Sequence, residues 1–529
     1  MDSMTTVTVD GPRLSVRFDR FDLDAYNLFL RTKSLPEFDV DYDWETDAYT
    51  VTAPARFAPL LGIPQPKEPR DRLSLAPHLF DYQAWVVGLA LDARRFAAWI
   101  DTGLGKTLVI LEWCRQVQAL TDGRVLIIEP LNVIGQFLEM ASEFYGDALP
   151  ITRLDNPEAV REWCIQSGPG LAITNPQKFI GDVMPELRYL GGIALDESSI
   201  LKTGAGKIKW HLIHSCRGIE YKLSATATPA PNDAMEYASQ AAFLETIRHE
   251  GDVLWTYYSK TKSGEWQIKP HAKDAFYRFM ATWSIYMRDP AHFGFADILS
   301  TLPPPDVREY RLPITDAQTQ LMQTLAVQNG TGLFNDRLGV KERGKLSQIA
   351  KGFQYQLVKG KKHASLVDSH KPDFVADLIR NDAADGLQVL AWTVFDAESD
   401  ILHSQLASAP FEVATLDGGM SDAARLDVLN RFRSGSLQVL ISKPSLIGHG
   451  LNLQHCRSMV FSGFDDSFER VYQAIRRCYR YRQTETVRVH FPYIPELEGM
   501  MFDNIRQKER RFMEDVAIQE ANYREVLRP

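Results

Sequence analysis

Gly103-Leu-Gly-Lys-Thr107 combines two glycines, a lysine and a hydroxyl at a spacing that suits a phosphate group. Glycine lets backbone N–H groups come close to an anion, and a following helix N-terminus adds favourable partial charge. In that arrangement Lys106 meets the β- and γ-phosphates of a nucleotide, and the Thr107 hydroxyl suits Mg²⁺. Ile100 stands where the general pattern G-x-x-x-x-G-K-[ST] has its first glycine, so the loop by itself also fits an ordinary turn before a helix.

Two further groups carry chemistry. Ile193-Ala-Leu-Asp196-Glu197 places an acidic pair directly after an apolar run, an order that sets Asp196 on a metal ion and Glu197 on an attacking water. Further on, Gln473, Arg477 and Arg480 are spaced by four and three residues and would share one face of a helix. An arginine pair of this kind stabilises charge that develops on a transferred phosphoryl group. A basic helix that binds backbone phosphates, or a solvated face, explains the same spacing.

The elements that must position these residues fall into two series. From about 76 to 245, apolar runs at Phe96 to Ile100, Arg124 to Glu129, Leu171 to Thr174, Ile193 to Leu195 and Tyr221 to Ala225 alternate with helical stretches. From about 371 to 500, strands are expected at Gln388 to Ala391, Val413 to Leu416, Gln438 to Ser442, Ser458 to Phe461 and Thr486 to Phe491. Such alternation implies parallel sheets covered by helices, with ligands at the carboxyl ends of the strands. Residues 1–75 read as a small separate α+β module, ending in the proline-rich linker Ile63 to Pro69. Residues 246–370 read as a helical region between the lobes, and 501–529 as a charged C-terminal helix.

Length and composition agree with this plan. A chain of 529 residues with 45% hydrophobic and 24% charged residues is long enough for roughly two to four globular domains. The net charge of −9 excludes a uniformly basic protein but leaves room for a local basic groove. Five cysteines without a C-x-x-C pair indicate neither a disulfide framework nor a zinc site, and a reducing cytoplasm is expected. Neither a signal segment nor a membrane-spanning apolar run is seen. The segment from Lys341 through Lys351, Phe353, Tyr355, Lys361 and Lys362 interleaves lysines with aromatics, a composition that pairs phosphates and stacks bases or forms a solvated surface. Lys260 and Lys262 beside Trp266 form a weaker candidate of the same type.

Taken together, these groups resemble superfamily 2 helicase-type ATPases, specifically the SNF2 (Swi2/Snf2) DNA translocases, in a compact form of bacterial or phage type. That family's loop, D-E-M-G-L-G-K-T, also lacks the first glycine. The resemblance extends in order over residues 76 to 500: Phe80-Asp-Tyr-Gln83, Val125 to Pro130 with Gln136, Ala172 to Asn175, Thr226-Ala-Thr-Pro229 with Asn232, Leu302-Pro-Pro, Val389 to Trp392, Leu416-Asp-Gly418, Gly448 to Asn452 and Gln473 to Gln483. Ser199 stands where the family has histidine, Ala227 where it has glycine, and the region between the lobes is short.

The resemblance implies two RecA-like lobes that hydrolyse ATP with Mg²⁺ while moving on double-stranded or branched DNA through backbone contacts of little sequence specificity. ATP is then held by Gln83 (reading adenine), Gly103, Gly105, Lys106, Thr107 and Asp196. Mg²⁺ sits on Thr107 and Asp196, and Glu197, Gln473, Arg477 and Arg480 are catalytic. Asn175, Lys351, Lys361 and Lys362 are candidate nucleic-acid contacts. A separate nuclease or recombination protein is an open partner, and no membrane is expected. Two alternatives stay open: a strand-separating DNA or RNA–DNA helicase, and a non-catalytic, nucleotide-gated DNA clamp.

Overall fold

The computed structural model describes residues 5–20, 22–63, 72–201, 206–230, 236–261, 266–298, 302–328, 339–358, 361–446, 453–480 and 483–527. They form two compact units, residues 1–297 with 513–529, and residues 298–512.

The first unit opens with an antiparallel sheet of β1 (Thr5–Asp10), β2 (Arg13–Phe18), β3 (Asp39–Asp43) and β4 (Ala48–Pro54), ordered β1-β2-β4-β3. β2 alternates buried Leu14, Val16 and Phe18 with more exposed residues, as a sheet with one packed face requires. The module touches the first lobe. Tyr257 donates to the Ser34 carbonyl at 2.9 Å, Arg56 Nε to the Thr246 carbonyl at 2.8 Å, and Phe57 packs on Phe279.

The main sheet of this unit comprises β5 (Arg95–Ile100), β6 (Arg124–Ile128), β7 (Ile151–Arg153), β8 (Gly170–Thr174), β9 (Gly192–Leu195) and β10 (Tyr221–Thr226). A small hairpin, β11 (Tyr258–Lys260) with β12 (Trp266–Ile268), and the strand β13 (Ser284–Met287) come next in the chain. With β13 included, all seven strands of the main sheet run parallel in the order β13-β5-β10-β9-β6-β8-β7. Phe96 to Ile100 and the whole of β10 are buried, the near-continuous burial expected of a sheet covered on both faces.

The second unit holds β14 (Asp306–Arg311), the hairpin β15 (Phe353–Val358) with β16 (Lys361–Leu366), β17 (Val389–Trp392), β18 (Val413–Thr415), β19 (Val439–Ser442), β20 (Ser458–Phe461) and β21 (Arg488–Tyr493). Its six-stranded parallel sheet is ordered β14-β21-β20-β17-β19-β18. The two RecA-like α/β lobes expected from the sequence are therefore present.

Strand pairing divides the segment between the lobes. β13 adds to β5, which draws residues 246–297 into the first unit, and β14 adds to β21, which draws 298–370 into the second. The last helix is also longer than expected, running from Pro495 to Leu527. Residues from Met513 onward belong to the first unit, where Tyr277 donates to Asp515 at 2.8 Å and the Tyr523 hydroxyl meets that of Ser284 at 2.9 Å.

In the second unit, Glu498 is fully buried and accepts from Lys351 at 2.7 Å and from Lys371 at 2.6 Å. Burial alone would raise its pKa, but the two ammonium groups hold it below the ordinary carboxylate value. Glu498→Ala leaves two buried cations without a counter-charge and is expected to cost about 3–5 kcal/mol. A lowered urea midpoint for the second unit's unfolding is the measurement that checks it.

Candidate nucleotide site

β5 ends at Ile100 and the chain turns through Asp101 to Gly105 into the helix Lys106–Thr121. Gly103 and Gly105 adopt φ of 89° and 74°, the left-handed region that glycine enters without strain. Gly105 caps the helix, and a Cβ there would lie 2.2 Å from Gln83 Nε2. Two residues from the helix Asp81–Ala93 brace the loop: the Tyr82 hydroxyl and Gln83 Nε2 donate to the Leu104 carbonyl at 2.8 and 3.0 Å. Gln83 Oε1 in turn accepts from the Phe80 N–H at 3.0 Å. In this structure Gln83 is thus buried and holds the loop; reading a base would require its amide to turn from Leu104.

The acidic pair lies just past β9 at the same carboxyl edge of the sheet. Lys106 Nζ is 2.7 Å from Asp196 Oδ1 and 2.8 Å from Glu197 Oε1. Burial disfavours the ammonium ion, but the two carboxylates outweigh it and raise the lysine pKa above its ordinary value. Glu197 has φ 45°, a strained value for a non-glycine residue, and its N–H donates to Asp196 Oδ1 at 2.7 Å. One positive charge against two negative ones leaves a net negative centre beside a half-buried Thr107 hydroxyl. No cluster of three or more metal-ligating side chains exists among the described residues. Mg²⁺ held by one or two carboxylates plus substrate phosphates needs none, so these residues fit both a nucleotide and its metal.

Three further residues join the site: Glu129 and Thr226, which lie within motifs read from the sequence but were given no role there, and Gln240, which lies outside them. Glu129 comes directly after β6, the neighbour of β9, and the Asp196 N–H bonds the Ile128 carbonyl at 2.9 Å, so the two acids sit side by side. Glu129 is buried with neither oxygen hydrogen-bonded; burial first, and then the charge of Asp196, push its pKa well above the ordinary carboxylate value. Thr226, on β10, donates to Glu197 Oε2 at 3.4 Å. Gln240 donates from Nε2 to the Ser198 carbonyl at 3.2 Å and accepts from the Ser224 hydroxyl. With Ser199 in place of histidine and itself buried, Thr226 and Gln240 tie the acidic pair to the strand behind it. Only strand order reveals these ties, because the residues are far apart in sequence.

The remaining candidates lie on other elements. The expected helix carrying Gln473, Arg477 and Arg480 ends at Ile475, so Gln473 is helical while both arginines lie in the turns beyond. Beyond the helix the chain continues in tighter turns, with the Arg477 N–H on the Ala474 carbonyl at 3.3 Å and the Cys478 N–H on the Ile475 carbonyl at 3.2 Å, while the Arg477 carbonyl accepts the Leu453 N–H at 3.1 Å. Gln473 and Arg477 are buried, and burial lowers the pKa of the half-buried Arg480. Two nucleic-acid candidates are buried. Asn175 is buried and caps a short turn by accepting from the Gln177 N–H, and Lys351 is committed to Glu498 inside the second unit. Lys362 is exposed, with its ammonium 4.8 Å from the Tyr355 ring centre. Lys361 lies on β16, but its side chain is outside the described residues, as are Asn232, Lys262 and the segment from Gly448 to Asn452.

Comparison with known proteins adds a second line. Residues 370–482 match the helicase conserved C-terminal domain. This segment lies within the second unit and includes β17 to β20, four of the six strands of its sheet. No curated protein matches the chain. Among solved structures, the chain is similar to the SWI2/SNF2 ATPase core of Sulfolobus solfataricus in complex with double-stranded DNA, at 21% identity and a TM-score of 0.38, covering 87% of this chain and 99% of that one. No helix of the described residues is long and apolar enough to cross a membrane.

The geometry predicts two outcomes. Lys106→Met removes the one cation from a carboxylate cluster and should destabilise the ligand-free protein by about 3 kcal/mol. Because the lysine pKa is raised on folding, that contribution is complete at neutral pH and fades only in strong alkali, above the unfolded value. Chemical denaturation of Lys106→Met, Glu197→Gln and the double variant measures it, with the double variant less damaged than the sum. Gly105→Ala should cost about 1–2 kcal/mol through its positive φ and the clash with Gln83, read as a fall in melting temperature together with weaker nucleotide binding.

Proposed function

We propose that this chain is an ATP-driven DNA motor of the SNF2 type, which hydrolyses ATP with Mg²⁺ and couples hydrolysis to movement on duplex or branched DNA. The observation that carries this reading is the convergence of the glycine loop, Lys106, Asp196 and Glu197 at one carboxyl edge of a parallel sheet. A helicase-type C-terminal domain in the second unit and the ordered sequence resemblance over residues 76 to 500 support it.

In this reading the backbone N–H groups at the start of the Lys106–Thr121 helix receive phosphate oxygens, and Lys106 turns from the carboxylates to the β- and γ-phosphates. Release of Lys106 leaves Asp196 and Thr107 to hold Mg²⁺, which when bound neutralises charge on the phosphates. Glu197, freed from the ammonium, orients and deprotonates the attacking water. Thr226 keeps that carboxylate in place. The roles of Gln473, Arg477 and Arg480 in stabilising the transferred phosphoryl group, and of Gln83 at the base, rest on the sequence resemblance alone.

Hydrolysis by the purified chain should be low without nucleic acid and rise at least tenfold with duplex or forked DNA. Lys106→Ala should abolish it, and Glu197→Gln should lower kcat by about 100-fold or more while retaining nucleotide binding. Phosphate release measured with no nucleic acid, single strands, duplex, forks and RNA separates the readings. Stimulation by single strands accompanied by strand displacement would favour an unwinding helicase, and no hydrolysis on any substrate would leave a clamp.

A further inference from the structure

At the opposite end of the first unit's sheet lies a cluster of cations that the motor chemistry does not use. An open cavity of about 550 Å³ is lined by Arg56, Arg95, Arg217, Arg248, His214 and Trp210, among others. Arg95 opens β5, whereas the phosphate loop begins after that strand's last residue. Six residues of strand place the two sites roughly 15–20 Å apart. A second hollow of about 540 Å³ shares Arg56 and Arg248 with the first and continues over the N-terminal sheet to Arg13. The two form one groove between the N-terminal module and the first lobe.

The charge balance of this groove is unlike that of the chain. Along its walls Arg56, Arg95, Arg217 and Arg248 stand against Glu37, Glu245 and Glu250, an excess of one cation in a protein of net charge −9, with Lys209 and Lys222 buried behind them. Arg13 and Asp39, further along, add one charge of each sign.

The carboxylates are already engaged. Glu37 takes Arg56 at 2.7 Å and Arg248 at 3.1 Å; Glu245 takes Lys222 at 2.7 Å and Arg95 at 3.3 Å; Glu250 takes Lys209 at 2.5 Å. Asp252 accepts the His249 N–H at 2.9 Å. Arg217 is exposed and has no ion-pair partner among the described residues. Burial, together with the neighbouring Arg95 and Arg248, pulls the Arg56 guanidinium below its ordinary pKa despite Glu37. Cations crowded in this way gain from an incoming anion. Next to them Trp210 is 47% exposed, with Lys209 4.8 Å from its ring and His214 stacked obliquely at 6.1 Å.

We propose that this groove is a second nucleic-acid site, separate from the motor, which holds a single-stranded segment by its backbone phosphates with a base against Trp210. The ligand must carry several negative charges in a row, because the cations extend along two joined hollows. It must also present a flat face, because the exposed ring stands beside them. A phosphodiester chain has both properties. The site reaches beyond the ATPase reading and does not depend on it.

The test uses the full chain without nucleotide, with fluorescein-labelled dT20 and rU20 as probes and polyglutamate as competitor. Arg217→Glu with Arg248→Gln should weaken binding at least tenfold and lower the slope of log K against log salt by roughly 1.4, about 0.7 for each of two lost phosphate contacts. Trp210→Ala should weaken it about fivefold or more. Iodouracil-substituted dT20 should crosslink to the peptide that carries Trp210, which locates the strand without any substitution. Preference for dT20 or rU20 assigns the strand to DNA or RNA, and either supports the site. Unchanged affinity and slope in the variants, crosslinks confined to other peptides, or equal displacement by polyglutamate unaffected by Trp210→Ala would overturn it. Hydrolysis without nucleic acid should be unaltered in the arginine variants, so failure of the motor reading and failure of the groove give different results.

Discussion

The contact on which the first unit depends is that of Lys106 with Asp196 and Glu197. Three strands end at this point, and each delivers an acid or the phosphate loop. Without the lysine, two carboxylates and the buried Glu129 would share a site from which water is largely excluded. Like charges held this close raise each other's pKa, and only a cation of comparable proximity makes the arrangement tolerable. A nucleotide with its metal can replace the lysine in that role, since it brings phosphate for the ammonium and a divalent ion for the carboxylates. On the proposed reading, the ion pairs of Lys106 are a holding state for groups whose partners change on binding.

The strained backbone at Glu197 belongs to the same constraint. A carboxylate that must meet the lysine while its own N–H caps Asp196 has few conformations open to it. Thr226 and Gln240 hold the segment from the adjacent strand and helix, in a place where histidine is absent from the sequence. The restraint passes through a hydroxyl and an amide, neither of which titrates near neutral pH.

Buried charge recurs in the second unit with a different purpose. Lys351, Lys371 and Glu498 are satisfied among themselves, and Asp382 accepts from His490, Ser458 and Arg488. For Asp382, burial acts to raise the pKa, but the hydrogen bonds, with His490 foremost, bring it down to about 2. The first group ties the helix Pro495–Leu527 to the helix Lys371–Ala384, and the second ties the helix Lys371–Ala384 to β20 and β21 of the sheet. Lysines in a basic, aromatic-rich segment therefore need not face nucleic acid: Lys351 and Lys362 have similar sequence surroundings and opposite exposure.

By itself the sequence determined the two α/β lobes, the strands at their centres, the glycine loop and the acidic pair. These are local signals, because apolar runs of strand length, glycine at a positive φ and an acid after a buried strand are written in consecutive residues. Tertiary structure decided what depends on neighbours in space. Pairing of β13 with β5 and of β14 with β21 divided the segment between the lobes, and the turn after Ile475 took Arg477 and Arg480 off their helix. Burial withdrew Asn175 and Lys351 from the surface, while strand order brought Glu129 beside Asp196. Arg56, Arg217 and Arg248 show the limit most clearly: each is an ordinary arginine in its own stretch of chain. They become a groove only because the N-terminal sheet packs beside the amino edge of the parallel sheet, and long-range packing leaves no periodic trace in sequence.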